Sequence, residues 1–464
     1  MKKLYIILPL ICLSLCSCEK WFDLSPKSEL KADDLFEQEQ GFRDALIGVY
    51  ALMSQSGLYG GQLTMTYLDV LGQYYSSAST TSNSFQYAYN YDYTNTNEEN
   101  RLNKIWKDMY NVIANINSIL DRIDAQKDVF AKNNYELIKG EALGLRGLVY
   151  LDLVRMFGHS PAEVDGMNQP AIPYVDHFTN ELYPCLSTSE VIALLLDDLK
   201  SAYQLLAEVD PYGPHSSSYD LDNLQELLKG REFRMNYYAV VAALARANLY
   251  KGNTTEAYQY ASEVIQSQLF PLISGVDITG ADKNGFVQEN IFALSYPGVK
   301  DEMVDKYLYT SNSSPYFLAV NSSTLNKIFA STVSADYRRL WWLEESGSFS
   351  LLSKYNYSKR VPMLKISEMY LIASETAPSV EQSAEYLNQL LYHRGLPETD
   401  VNADNLSKLL KAEYIKEFMG EGQLFYYYKR LNIPKTPINE RSISSPEAVY
   451  VFPLPKENTN FKEN

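Results

Sequence analysis

Cysteine and histidine are the scarcest reactive groups in this chain of 464 residues, with 4 of each. Three of the cysteines, Cys12, Cys16 and Cys18, fall at the very start, which leaves Cys185 alone in everything that follows. A single thiol builds neither a disulfide framework nor a cysteine metal cluster, and Cys185 reads as a small apolar filler. His159, His177, His215 and His393 stand far apart, and no two have the spacing that would set both on one metal from a helix face. The chain also lacks a phosphate loop, a dinucleotide fingerprint, an HEXXH motif and a Gly-X-Ser-X-Gly elbow. The stretch DLDNL at Asp220 is without the glycine that a calcium loop needs for its turn. No metal and no cofactor is expected.

Positive charge is short as well. Lys and Arg number 41 against 57 Asp and Glu, a net charge of -16, which argues against a nucleic-acid surface because phosphates are held by clustered cations. A neutral partner suits this balance better. The acidic residues keep one enzyme class open, since a glycosidase needs only two suitably separated carboxylates, but no pair is singled out.

The N-terminus carries a different signal. Met1-Lys2-Lys3 followed by the apolar run Leu4 to Leu15 has the layout of a secretory signal, and the run is too short to span a bilayer, which takes about 20 apolar residues. Cys18 follows Ser17, Cys16 and Leu15, the small-residue context in which bacterial lipoproteins are cut and acylated; Cys16 fits poorly because Leu15 precedes it. Residues 1–17 are thus read as a signal peptide and 18–40 as lipid anchor and tether, with Cys18 lipidated. The plainer alternative is an ordinary signal peptide cut nearby. Acylation of the sulfur and the new amino terminus gives three chains, and two such signals already hold a protein on a membrane.

Hydrophobic residues make up 46% of the chain, ample for a core, and length alone suggests about three domains. Tyrosine is abundant, 38 residues against 18 Phe and 4 Trp. Its ring with a hydroxyl edge suits stacking on wet, flat ligands, and equally suits packing between helices.

Apolar spacing predicts amphipathic helices. GFRDALIGVYALM carries a stripe of Phe42, Ala45, Leu46, Val49 and Leu52; IWKDMYNVIANINSILDRI carries Trp106, Tyr110, Ile113, Asn117 and Leu120, and pairs with YELIKGEALGLRGLVYLDLVRMFG. Ser187 and Glu190 form a capping box ahead of the next helix. RMNYYAVVAALARANLYKGN and TTEAYQYASEVIQSQ form a second hairpin, closed by Gly252 and capped by Asn253. Ala242, Ala243, Ala247, Ala257 and Ala261 let the two backbones approach, the packing logic of tetratricopeptide units. PMLKISEMYLIASETA with SVEQSAEYLNQLLYHRG makes a third. The stretches 74–97, 210–222 and 270–359 show no helical period; loops this long are functional or disordered, and their aromatics favour order.

These blocks resemble, in order, those of the SusD-like (RagB/SusD) nutrient-binding outer-membrane lipoproteins of Bacteroidetes. CEKWFDLSP looks like the family's opening and GFRDALIGVYALM like its first helix; WKDMYNVIANINSIL supplies Trp106, Tyr110, Ile113 and Asn117. GEALGLRGLVYLDLVRMFGHSP places Glu141, Arg146, Tyr150, Leu153, Phe157, Gly158 and Pro161, and GREFRMNYYAVVAALARANLYKGN opens on Gly230 and Arg231. VPMLKISEMYLIASETA carries Glu368 and Glu375, with Lys365 where Arg is usual. EYIKEFMGEGQLFYYYKRLN carries Glu417, Gly420, Glu421, Gly422 and Arg430, with Tyr427 in place of the usual Asp, and VFPLPKENTNF resembles the family's tail. Read from the residues alone, Glu141 and Arg146, or Glu421 and Arg430, form hydrogen-bonded pairs that fasten helices to loops.

The resemblance implies an all-α, tetratricopeptide-like scaffold of helical hairpins, one domain over 41–464, whose long irregular loops build the ligand surface. It implies a non-catalytic surface lipoprotein of the outer membrane that binds an oligosaccharide or other oligomeric nutrient and passes it to a SusC-like TonB-dependent transporter. The alternatives are a helical-repeat scaffold that binds only protein, and a glycan hydrolase. Candidate ligand residues are Asp69, Tyr74, Tyr75, Tyr89, Asn90, Tyr91, Arg101 and Trp341. The alternation of Tyr87, Tyr89, Tyr91 and Tyr93 predicts a half-buried strand, and of Trp341 and Trp342 one is expected in the core.

Overall fold

The computed structural model describes residues 34–215, 226–275, 285–329 and 335–456. Cys18, the signal sequence before it and the Asp220 stretch lie outside them. The frame is built from helices α1 (Glu39–Met53), α2 (Thr96–Ile123), α3 (Asn134–Phe157), α4 (Thr188–Val209), α5 (Tyr237–Lys251), α6 (Thr254–Gln266), α7 (Ile366–Thr376), α8 (Val380–Tyr392), α9 (Leu406–Glu417) and α10 (Gln423–Arg430). From α1 to α8 each helix packs on the next along the chain, the arrangement of a helical-repeat scaffold.

The caps fall where the sequence puts them. Ser187 accepts from the Glu190 amide while Glu190 returns a bond to the Ser187 amide; Asn253 caps α6, and Gly252 ends α5 at φ +84°. Helix α1 buries Phe42, Leu46, Val49 and Met53, with Ala45 and Leu52 at the edge of the stripe. Helix α3 is buried on all sides from Gly140 to Phe157, so it sits at the centre of the frame. Gly140 and Gly147 make room there: a Cβ on either would stand 2.7 Å from the Cγ of Leu206 or Leu199 on α4.

Because α3 is surrounded, its charged residues need partners inside. Glu141 and Arg146 are five residues apart and so point to different sides of the helix. Arg146 forms a fork with Asp198 at 2.6 and 2.7 Å, whereas Glu141 holds Arg231 and accepts from the Tyr50 hydroxyl at 2.6 Å. Likewise Glu421 holds Lys354 and Lys365, and Arg430 holds Glu375 at 2.8 Å. The expected pairs, Glu141 with Arg146 and Glu421 with Arg430, do not form; each of the four residues fastens a distant segment through a different partner.

Small antiparallel sheets brace the loops: β1 (Pro170–Pro173) with β2 (Cys185–Ser187), β3 (Asn290–Ser295) with β7 (Arg360–Lys365), and β4 (Val320–Asn321), β6 (Phe349–Leu352) and β5 (Leu343–Ser346) in the order β4-β6-β5. Stretch 270–359 is therefore more structured than its lack of helical period suggests. It also holds a π-helix, Lys300–Leu308, and short helices Ser322–Ile328 and Tyr337–Trp342. The PMLK segment read as helix is the end of β7; helix α7 starts only after Lys365.

Candidate ligand-binding site

Three of the sequence-selected ligand residues are structural. Asp69, on the one-turn helix Tyr67–Leu71, is fully buried, and its carboxylate accepts from the amides of Gly420 at 2.5 Å and Gly422 at 2.8 Å. Burial pushes the Asp69 carboxyl well above the usual carboxylate range, against the pull of those two amides. Tyr74 and Tyr75 are fully buried too, donating to the carbonyls of Ile415 at 2.5 Å and Met65 at 2.9 Å. A tyrosine can enter a core once its hydroxyl finds an acceptor; here Asp69 ties the loop after α1 to the turn between α9 and α10, Tyr74 ties it to α9, and Tyr75 closes the loop on itself. They offer no surface to a ligand.

Arg101 is largely spent inside the protein. Its guanidinium lies 4.5 Å from the Phe85 ring centre and 5.2 Å from that of Tyr67, and it donates to Gln62 Oε1 at 3.1 Å and to the Ser84 carbonyl at 3.4 Å. The tyrosine ladder is not a strand. Gln86–Tyr89 is one helical turn and Tyr91 sits in the left-handed region at φ +57°. Tyr89, Asn90 and Tyr91 are brought together by Arg441, which donates to the carbonyls of Tyr89 at 2.8 Å and Asn90 at 3.2 Å and lies 5.3 Å from the Tyr91 ring centre. Asn90 is exposed; the Tyr91 hydroxyl donates to the Leu71 carbonyl at 2.8 Å. Trp341 is half-buried elsewhere, its carbonyl accepting from Ser353 Oγ at 3.2 Å. Trp342 is the core member of that pair, with the Lys354 ammonium 3.8 Å from its ring centre, and both lie on a short helix.

The surface that the loops do present together lies beside these residues. Segments 76–87 and 311–317 are stitched by hydrogen bonds from Ser77 Oγ to the Phe317 carbonyl at 2.9 Å, Asn83 Nδ2 to the same carbonyl at 2.8 Å, and the Ser84 amide to the Pro315 carbonyl at 2.6 Å. Above the seam Tyr87 and Tyr316 are 36% and 42% exposed, among the exposed hydroxyls and amide of Ser79, Thr81, Ser82, Ser311, Asn312 and Ser313. The π-helix supports it from below: Tyr307 meets Tyr316 edge to face at 5.8 Å and Phe85 at 5.9 Å, and the Lys306 ammonium lies 5.3 Å from the Tyr316 ring centre. Such helices are rare and concentrate at functional sites. Tyr316 was missed in the sequence; its one legible mark is an aromatic set among Asn, Ser and Pro in NSSPYF.

Among the described residues no three His, Cys, Asp or Glu side chains are grouped to hold a metal, and no helix is long and apolar enough to cross a membrane. His159, His177 and His393 meet separate partners: Glu163, Asp121 and the Ile273 carbonyl.

The structure is a helical-repeat frame that carries a tyrosine and hydroxyl surface on stitched loops. Comparisons with known proteins find the same kind of relative in sequence and in fold. A SusD-like family model, described as starch-binding and associating with the outer membrane, matches residues 20–218. Two curated relatives from Formosa agariphila are SusD-like protein P25, 24% identical over 211 residues (44% of this chain and 38% of the relative), and SusD-like protein P2, 23% identical over 311 residues (64% and 54%). The matches thus span well under two thirds of either relative. A SusD superfamily protein from Bacteroides thetaiotaomicron superposes with a TM-score of 0.71 at 18% identity, covering 91% of this chain and 98% of its own. A SusD-like carbohydrate-binding protein from Bacteroides vulgatus gives 0.67 at 21% identity, covering 85% and 83%. The chain is thus similar in sequence to SusD-like proteins over residues 20–218 and shares their fold over most of its length.

Proposed function

We propose that this protein is a non-catalytic lipoprotein, anchored through Cys18 and displayed on the outer membrane, that binds an oligosaccharide and delivers it to a SusC-like TonB-dependent transporter. The observation that carries the binding reading is the seam between segments 76–87 and 311–317, which holds Tyr87 and Tyr316 exposed within a rim of hydroxyls. A sugar ring has an apolar face and a hydroxyl edge, and this surface offers a counterpart to each. Tyr89 and Asn90 extend it along Arg441, while Trp341 is a separate, outlying candidate. The family description and the name of the Bacteroides vulgatus relative support carbohydrate as the ligand class.

Each stacked ring or hydrogen bond to a wet ligand contributes about 1 kcal/mol, so an oligomer that touches several is favoured over a monosaccharide. Calorimetric titration with a panel that begins with maltoheptaose tests this. Tyr316→Ala and Tyr87→Ala should each weaken a bound glycan by roughly fivefold. Unchanged affinity in both would remove the seam from the site, and turnover of the glycan would favour the hydrolase alternative.

A further inference from the structure

Segments 76–87 and 311–317 contain no Asp, Glu, Lys, Arg or His, in a chain where charged residues make up 21%. A cation stands where this neutral surface continues past Tyr87. Arg441, on the loop closed by the Lys435–Ser442 bridge, donates through Nη1 to the Tyr89 carbonyl at 2.8 Å and to Asn90 Oδ1 at 3.3 Å, and through Nη2 to the Asn90 carbonyl at 3.2 Å. Beside it Asn439 Nδ2 donates to the Tyr89 hydroxyl oxygen at 3.2 Å. These acceptors are neutral oxygens, so they fix the guanidinium without cancelling its charge. No Asp or Glu among the described residues pairs with it, and the neighbouring carboxylates are engaged: Glu440 lies 3.4 Å from Lys435 Nζ, and Asp92 accepts from the amide and hydroxyl of Thr94 at 3.2 and 2.6 Å.

Elsewhere in this protein arginines grip carboxylates through the edge formed by Nε and Nη2. Arg146 holds Asp198 that way at 2.6 and 2.7 Å, Arg246 holds Glu368 at 2.6 Å twice, and Arg338 holds Asp336 at 2.9 and 2.8 Å. In Arg441 the Nε–H meets no acceptor among the described residues, and the side chain is only half-buried, so that edge is left open. Its two N–H groups match the paired oxygens of a carboxylate or a sulfate ester. Water can serve them while the surface is bare. A glycan that crosses the seam and continues over Tyr89 and Asn90 displaces that water, and a neutral sugar would then leave a desolvated cation without a counter-charge. An acidic substituent at this point supplies one. Lys306, another cation beside the seam, is a point charge set against the rings of Tyr307 and Tyr316 and has no such fork. The uncharged segments and the net charge of -16 favour a largely neutral chain over a polyanion.

We propose that Arg441 forms an oxyanion subsite at the Tyr89 end of the seam, so that the ligand is a largely neutral glycan bearing a carboxylate or sulfate-ester substituent; this rests on the glycan-binding reading above. Calorimetric titration with xylo-oligosaccharides carrying one glucuronyl branch, and with singly sulfated galacto-oligosaccharides, each beside its carboxyl-reduced or desulfated counterpart, reads the oxyanion and tells its two sources apart. At least one charged member should bind roughly tenfold tighter than its neutral counterpart, with an advantage that shrinks as salt is raised. Arg441→Gln should erase that advantage, and Arg441→Lys, which keeps the charge without the fork, should retain only part of it. Were Arg441 only a brace for Tyr89 and Asn90, its loss would weaken charged and neutral members alike. Neutral members that bind as tightly as charged ones, or an advantage that survives Arg441→Gln, overturn the proposal and leave the glycan reading standing. If no charged member binds, the proposal falls; if the neutral panel also fails to bind, the glycan reading falls with it.

Discussion

Asp69 shows how a single side chain can look like a ligand group and be a fastener instead. Its partners, the amides of Gly420 and Gly422, lie about 350 residues away, so nothing near it in the chain marks the role. Both glycines have positive φ, +82° and +70°, which presents the two amides to one carboxylate. Asp69→Ala strands both amides in the core and should lower stability by about 3 kcal/mol in denaturant unfolding. Glycan affinity of the folded fraction should not change; a selective loss of affinity at full stability would return Asp69 to the site. Lys429 is a buried cation of the opposite kind. Burial drives its amine well below the ordinary lysine range, and its one described acceptor is the Met156 carbonyl at 3.1 Å, which also receives the Phe452 amide. The unfolded chain binds this proton up to about pH 10.5 and the folded chain releases it earlier. The penalty is therefore absent above that pH, grows as pH falls toward the depressed folded value, and is constant below it. Lys429→Met should raise stability at neutral pH by about 1–3 kcal/mol and flatten the alkaline limb of the stability profile. Caps were legible at this scale because Ser187 and Glu190 lie three residues apart; the partners of Asp69, Glu141 and Arg430 were not, because they are set by tertiary packing.

At the scale of elements, helices were readable wherever one face meets the core and the other meets solvent. Helix α3 lost that contrast by being buried all round, yet its glycines carry the packing information. A Cβ at Gly147 would meet Leu199 Cγ at 2.7 Å and the Leu195 carbonyl at 3.1 Å, and a carbonyl in α4 cannot swing aside as a side chain would. Gly147→Ala should therefore destabilise the fold by about 1–3 kcal/mol despite the better helix propensity of alanine, measured as a lowered unfolding midpoint. Strands were the weak point of the sequence reading. β7 pairs with β3 from Asn290↔Lys365 to Ser295↔Arg360, a register that local pattern does not announce, and its apolar run blends into α7. The tyrosine ladder failed for the reverse reason. Its period of two came from a helical turn followed by a left-handed residue, with Tyr93 buried and Tyr87 exposed. The π-helix under Tyr316 leaves no sequence mark of its own.

Across the whole molecule a buried ionic network joins the loop side to the helical frame. Arg338 meets Asp336 at 2.8 Å, Glu413 at 2.7 Å and Glu417 at 3.2 Å; Arg394 meets Glu289 at 2.7 Å and Glu417 at 2.8 Å. Lys365, standing where the family usually has Arg, bridges Glu417 at 3.0 Å and Glu421 at 2.7 Å. Burial alone would raise the Glu417 carboxyl, but Arg394 and Lys365 hold it well below its ordinary range, and Arg338 lowers that of Asp336 against the same burial. The unfolded chain takes up these protons first as pH falls below about 4.5, so stability present at neutral pH should drain away below that point. Unfolding midpoints measured from pH 7 to 3 should fall most steeply there. Glu417→Gln should start lower, because it strands cations in the core, and fall less steeply.

The most direct measurement of the central claim is a crystal structure of the protein with an oligosaccharide identified by the titration panel. The account predicts an unbroken glycan lying across the seam, with a sugar face on Tyr316 and hydroxyls met by residues of segments 76–87 and 311–317. A glycan seated away from both segments, or one found cleaved, would contradict it.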